Sequence, residues 1–210
     1  MQRAYIIPVL RKNPFIRPMT PMLAKSPPVG DEWLHEVKFD GFRAQVHVDE
    51  GDAKIYSRNG ADLTKRFRVL KPVIELIPAR SAIIDRELVA CGEDGLPSFR
   101  TLMDYRHAEA SLCLWAFDLL YLNGVRITPL KFTERRAQLA ELVAAADTEH
   151  IQFSGSFVDP NKLLATCERM GLEGVVSKRR DSSYSSGTTR DWIKCKTAVW
   201  KAANGVRFDL

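Results

Sequence analysis

Hydrophobic and polar positions change texture at Trp33. Ahead of it stand Pro8, Pro14, Pro18, Pro21, Pro27 and Pro28, six of the chain's eleven prolines. Each proline removes a backbone donor and clashes with a preceding helical turn, so residues 1–20 are expected to form an extended arm lying across the protein. From Trp33 the pattern alternates. Trp33 to Phe39 and Phe42 to Val48 both carry the two-residue period of a half-buried strand, with the turn dipeptide Asp40-Gly41 between them. Lys54 to Ser57 makes a third short strand between Gly51-Asp52 and Asn59-Gly60. This run predicts antiparallel strands, not a strand–helix–strand series.

Helical spacing follows. Phe67, Leu70, Val73, Ile74 and Ile77 predict a helix within 63–77, with Pro72 as an awkward guest. Ser81 to Cys91 reads as a pair of strands, Phe99 to Tyr105 as a short helix, and Ser111 to Leu122 as a long apolar strand ending at Asn123-Gly124. The clearest helix spans 133–146, with Thr133 as N-cap and Leu139, Leu142 and Val143 along one face. Another runs from Pro160 to Met170 and closes at Gly171. Val175 to Lys178 and Trp192 to Lys196 are the last strands. The fold class is α+β with mostly antiparallel sheet.

Composition adds exclusions. Hydrophobic residues make up 45% and charged residues 27%, which excludes disordered and fibrous classes. Cys91, Cys113, Cys167 and Cys195 show no CxxC pairing, so neither zinc ligation nor a disulfide framework is supported. No apolar run has the length of a signal or a membrane span, so a soluble, cytoplasmic protein with no membrane partner is expected. A net charge of +5 fits a polyanionic partner without establishing one.

Chemistry concentrates in clusters on separate strands. Lys38-Phe39-Asp40-Gly41-Phe42-Arg43 sets two cations at one strand mouth, and Asp85-Arg86-Glu87 sets two carboxylates on one strand face. Phe117-Asp118 follows an apolar strand. Glu173 to Lys178 and Trp192-Ile193-Lys194-Cys195-Lys196 complete the set. Singly, each is what a solvated strand edge or a packed aromatic also offers. Together, five charged clusters are what a nucleotide triphosphate in an antiparallel cleft needs.

The order KxDGxR, SRNG, DxE, FD, EGVVxK, WxKxK resembles the covalent nucleotidyltransferases: DNA ligases, RNA ligases and mRNA capping enzymes. It is most similar to bacterial ATP-dependent DNA ligases of the end-joining type, from about Pro21 to Lys196. The likeness includes Pro21 to Ala24, Phe117 to Leu122, Tyr184 to Gly187 and Arg190 to Lys194. It implies two mostly antiparallel sheets flanked by helices with the nucleotide cleft between them, and an adenylation domain over 21–196.

It also implies a mechanism. Lys38 attacks the α-phosphorus of ATP and holds AMP as a phosphoramidate, which calls for a lowered lysine pKa. Lys194 and Lys196 hold the α-phosphate, and Asp40 orients the nucleophile. Glu87 accepts from the ribose, Phe117 stacks on adenine with Val176 opposite, Glu36 reads the adenine amino group, and Val37 belongs to the nucleotide-binding set. Glu173, with Glu87, holds Mg2+ (or Mn2+). Arg43 contacts the nucleotide or the nick 5′-phosphate, and Arg58 the DNA 5′-phosphate. The implied partner is nicked or broken double-stranded DNA in repair.

Two departures stand out. Arg86 replaces the usual glycine between the acids; it is expected to point away from the pocket, or else to add a DNA contact. The family's OB-fold domain has no counterpart in Thr197 to Leu210, which reads as one short helix or an extended tail. A domain cut from a longer ligase and a naturally small protein, working alone or with an OB-fold or other repair protein in trans, both remain open. The alternative functions are an RNA ligase or capping-type enzyme, and a nick- or break-binding module.

Overall fold

The computed structural model describes residues 14–92, 97–104 and 111–205. Alternation produces the strands β1 (Met19–Leu23), β2 (Trp33–Lys38), β3 (Phe42–Asp49), β4 (Asp52–Ser57) and β5 (Ser81–Ala90). They are followed by β6 (Leu112–Leu122), β7 (Val125–Arg126), β8 (Ile151–Phe153), β9 (Gly174–Arg179) and β10 (Gly187–Lys196). The helices are α1 (Lys71–Ile74), α2 (Phe99–Met103), α3 (Phe132–Ala146), α4 (Pro160–Arg169) and α5 (Ala198–Ala203).

The strands sort into two sheets. One has the order β1-β10-β9-β2; the other has β4-β3-β5-β6-β7, with β8 added on β6. Pairing is antiparallel except for β1 with β10 and β6 with β8. The larger sheet buries one face in the main core, where Val46, Ile84, Leu88 and Leu114 meet Leu139 and Val143 of α3. The smaller sheet packs Val37 and Val175 against Leu163 and Cys167 of α4. Between the sheets a third cluster, including Met19, Ile83, Tyr121, Tyr184 and Trp192, closes one end of a cleft.

The α+β, mostly antiparallel expectation stands, and four local readings change. First, Asp40-Gly41 does not close a hairpin. β2 pairs with β9 and β3 pairs with β4 and β5, so Phe39-Asp40-Gly41 carries the chain from one sheet to the other. A Cβ on Gly41 would meet the Leu88 carbonyl oxygen at 2.2 Å, which is why only glycine fits that crossing.

Second, the 63–77 helix shrinks to a 3-10 turn at Arg68–Leu70 followed by α1, whose start at Lys71 places Pro72 in the first turn, where no donor is missed. Third, Ser81 to Cys91 is not a strand pair but one strand, β5, because its polar residues face buried partners instead of a turn. Fourth, α3 begins before Thr133. Phe132 is fully buried, and the Glu134 carboxylate accepts from the Lys131 backbone N–H at 2.8 Å.

The end of the proline-rich arm is β1, at the edge of its sheet, where prolines cost no ladder bonds; its register shifts between Pro21 and Met22. The tail after β10 makes α5. The readings at Pro8, Tyr105, Val206 and Phe208 lie outside the described residues.

Candidate active site

The crossing at Asp40 sets the site, because it delivers consecutive strands to facing sheets. A cleft of about 610 Å3 lies between them, and every site residue singled out from the sequence lines it. Glu36 and Lys38 of β2, Val176 of β9, and Lys194 and Lys196 of β10 belong to one sheet. Arg43 of β3, Glu87 of β5 and Phe117 of β6 belong to the other, with Arg58 just past β4. Val37 borders the cleft with its backbone, since its side chain packs on the opposite face against α4.

At one end the charges interlock. Lys38 Nζ donates to Glu173 Oε2 at 2.7 Å, and Lys196 Nζ lies 3.1 Å from Glu173 Oε1. Gly174, the next residue, has φ +154, and a Cβ there would meet the Cys195 carbonyl oxygen at 2.0 Å. That close approach presses β9 onto β10 and brings the carboxylate to both lysines. The Lys194 ammonium is pushed below its ordinary pKa, first by burial and then by Lys38 and Lys196.

Glu87 is pushed the other way, up to about 7. Burial is the main cause; Lys38 and Arg43 oppose it, while Glu173 and Asp85 add repulsion. The described residues contain no group of three metal-ligating side chains. Two carboxylates that repel each other beside lysines do fit a hard divalent cation held largely by phosphate oxygens and water.

At the other end both oxygens of the buried Glu36 are used. Arg136 Nη1 donates to Oε1 at 2.5 Å; Lys178 Nζ at 2.9 Å and Ser154 Oγ at 3.0 Å donate to Oε2. With two cations and a hydroxyl donating to it, the group presents acceptor oxygens. Lys178 is lowered by burial despite Glu36 and Asp118. Its Nζ also donates to the Phe117 carbonyl at 3.3 Å and lies 4.4 Å from the Phe117 ring centre.

Phe117 is an extra residue in its strand. Asp85 pairs with Asp118 and Arg86 with Ala116, so the bulge turns the ring into the cleft. Arg43 stands beside it, 5.4 Å from the ring centre, and is clamped by Asp85 at 3.1 and 2.7 Å. Burial would lower Arg43, but Asp85 outweighs it and the pKa is raised. Tyr184 Oη donates to the same Asp85 at 2.5 Å.

Arg86 points away from this cleft, as expected, but its alternative role as a DNA contact is excluded. It is 1% exposed inside the main core, between the small cross-strand neighbours Ala44 and Ala116. Its guanidinium has no hydrogen-bond partner among the described residues, and burial lowers its pKa to about 9.

Sequence reasoning missed Arg136 and Ser154, and gave no role to Asp85, Lys178, Tyr184 or Trp200. Trp200 of α5 lines the cleft and donates from Nε1 to Asp40 Oδ2 at 3.0 Å. Glu36 and Arg136 lie 100 residues apart, and no local pattern announces that pairing. Lys178 sat inside a quoted motif, and its place two residues after Val176, on the same strand face, was the available signal.

A two-sheet cleft with an amine–carboxylate pair at one end and a fixed acceptor beside an aromatic at the other has the architecture of the nucleotidyltransferases. Comparison with known proteins makes this particular: the chain belongs to the ATP-dependent DNA ligase domain family, whose model, described as "ATP dependent DNA ligase domain", matches residues 21–196. It is 35% identical over 185 residues to the multifunctional non-homologous end joining protein LigD of Pseudomonas aeruginosa, covering 87% of this chain and 22% of that protein. The Mycobacterium tuberculosis LigD is 32% identical over 202 residues, covering 90% of this chain and 26% of that one.

Among solved structures, one described as mycobacterial DNA ligase D complexed with ATP and MES aligns with a TM-score of 0.76 at 30% identity. That alignment covers 85% of this chain and 59% of that one. The chain spans about a quarter of the length of the two full-length LigD proteins from Pseudomonas aeruginosa and Mycobacterium tuberculosis. No helix among the described residues is long and apolar enough to cross a membrane.

Proposed function

We propose that this chain forms a covalent lysyl-AMP at Lys38 and transfers the AMP to the 5′-phosphate of nicked or broken double-stranded DNA, as one step of end joining in the cytoplasm. The observation that carries the reading is Lys38 Nζ held 2.7 Å from Glu173 Oε2, with Lys194 and Lys196 alongside, in a cleft whose far end presents a fixed acceptor.

In the first step Lys38 Nζ forms a bond to the α-phosphorus of ATP, the bond to the bridging oxygen breaks, and pyrophosphate leaves. The ammonium sheds a proton beforehand, and Glu173 Oε2 is the base within reach. Lys194 and Lys196 hold the α-phosphate and offset its developing charge. Glu87 accepts from the ribose hydroxyls. Phe117 stacks on adenine from one sheet and Val176 closes from the other.

Glu36, held as an acceptor, favours the 6-amino group of adenine and repels the 6-oxygen of guanine; this supports ATP over the GTP of a capping enzyme. Glu173 and Glu87 would hold a divalent cation, magnesium or manganese, which supplies charge neutralisation at the phosphates. Arg58, near the cleft mouth, would meet the DNA 5′-phosphate. Arg43 orders the Phe117 ring and, with the nucleotide bound, the phosphate side of the cleft. An OB-fold or other repair protein acting in trans would complete the DNA grip.

Intact-mass measurement after incubation with ATP and magnesium tests this. Wild type is expected to gain about 329 Da, one adenylyl group, and Lys38→Ala to gain nothing. An unmodified wild type, as isolated and after incubation, or an adduct that persists in Lys38→Ala, overturns the reading.

A further inference from the structure

The short helix that follows the last strand is tied down at its start. The Glu168 carboxylate of α4 accepts from the backbone N–H groups of Ala198 and Val199 at 2.9 Å each, and the Thr197 hydroxyl donates to the Leu172 carbonyl at 2.8 Å. Thr197 also accepts from the Trp200 backbone N–H at 3.3 Å. Four hydrogen bonds thus fix this six-residue helix, and they fix it in one orientation. That orientation drives Trp200 inward until it is 5% exposed.

What the indole meets there is the reacting end of the cleft. Its Nε1–H donates to Asp40 Oδ2 at 3.0 Å, and Lys196 Nζ sits 3.8 Å from its ring centre. Asp40 stands on the crossing segment two residues after Lys38, outside any strand. Lys196 shares the Glu173 carboxylate with Lys38. One side chain therefore touches both the segment that follows the nucleophile and the cation opposite it.

We propose that Trp200 is a positioning residue for lysyl-AMP formation: it holds Asp40 and Lys196 in register across the nucleophile, so that the amine and the phosphate-binding ammonium face the same α-phosphate. This rests on the adenylation reading given above. Displacement of a reacting group by about 1 Å costs on the order of a hundredfold in rate, whereas substrate affinity is set by the distant base and ribose contacts. Loss of the clamp should therefore appear in the rate constant and spare KM for ATP.

Single-turnover adenylation of the full chain, with thermal unfolding measured on the same samples, tests the assignment. Trp200→Phe keeps an aromatic face for Lys196 and removes the N–H; its rate constant is expected to fall about tenfold, with KM for ATP within about twofold and an unchanged Tm. Trp200→Leu removes both contacts and is expected to lose about a hundredfold. In an Asp40→Ala background, which removes the acceptor, Trp200→Phe should cost nothing further, because the two residues act as one unit.

If Trp200→Phe does not fold, Glu168→Ala, a change outside the cleft that loosens α5, decides; it should lower the rate constant about threefold at unchanged KM. A wild-type rate in Trp200→Phe, or an equal loss in the Asp40→Ala background, overturns the proposal. So does a wild-type rate in Glu168→Ala where that variant is the one that folds. A wild type that never gains AMP instead overturns the adenylation reading beneath it.

Discussion

Glu87 carries the clearest pH signature of the site. Its carboxyl, held near 7 chiefly by burial, is largely protonated at pH 6 and largely ionised at pH 8. Only the ionised form accepts from both ribose hydroxyls, so KM for ATP is expected to fall as pH rises from 6 to 8, and Glu87→Gln to flatten that dependence. For stability, the folded pKa stands above the ordinary 4.5. Folding then holds a proton that the unfolded chain releases, and stability falls between about pH 4.5 and 7 before levelling. Glu87→Gln should thus gain on the order of 2 kcal/mol over wild type at pH 7.5 and nothing at pH 4, measured by urea unfolding.

Arg86 gives the complementary case. A buried guanidinium with no hydrogen-bond partner among the described residues is a cost, not a contact, and the alanines on either side leave space for its stem. Arg86→Met should raise stability by roughly 1–4 kcal/mol without altering adenylation; a lower Tm would refute this account.

At the scale of elements, the sequence told strands from helices better than it told which strands pair. A period of two places β2 and β3 as strands, but it carries no information on whether the turn between them folds back or crosses over. What decides is the space at Gly41, pressed on the Leu88 carbonyl, and this depends on a strand forty-odd residues away. The acidic run in β5 looked like a break for a similar reason, since burial of Asp85 depends on Arg43 and Tyr184 arriving from elsewhere. The cleft-lining residues were legible because their motifs resemble a known family's; the buttresses behind them were not, because α3 supplies Arg136 across 100 residues. Gly41→Ala should therefore act through the crossing. The 2.2 Å contact forces the backbone off β5, and lysyl-AMP formation is expected to fall by a hundredfold or about that, even where circular dichroism shows both sheets formed.

Across the whole molecule, the two sheets share no backbone ladder at the cleft among the described residues, so side chains hold them in register. Lys178 bridges to the Phe117 carbonyl, Tyr184 to Asp85, and Arg136 of α3 to Glu36. A nucleotide that touches Glu36 and Val176 on one side and Glu87 and Phe117 on the other adds to these ties. Ligand that binds only the folded state stabilises it by about 2.7 kcal/mol at a hundredfold excess over Kd, a shift of roughly 5–10 °C for a chain of this size. A non-hydrolysable ATP analogue is expected to give that shift, and the matching GTP analogue less at equal concentration, because the guanine oxygen would face an acceptor where the adenine amino group meets one. Glu36→Gln presents an amide N–H in the same place. It should narrow the difference between the two analogues by about tenfold in affinity, while Arg136→Met should weaken both and lower the Tm of the free protein. Equal shifts for the two analogues in wild type would remove Glu36 as the group that reads the base and leave Phe117 and Val176 as a platform indifferent to which purine it holds.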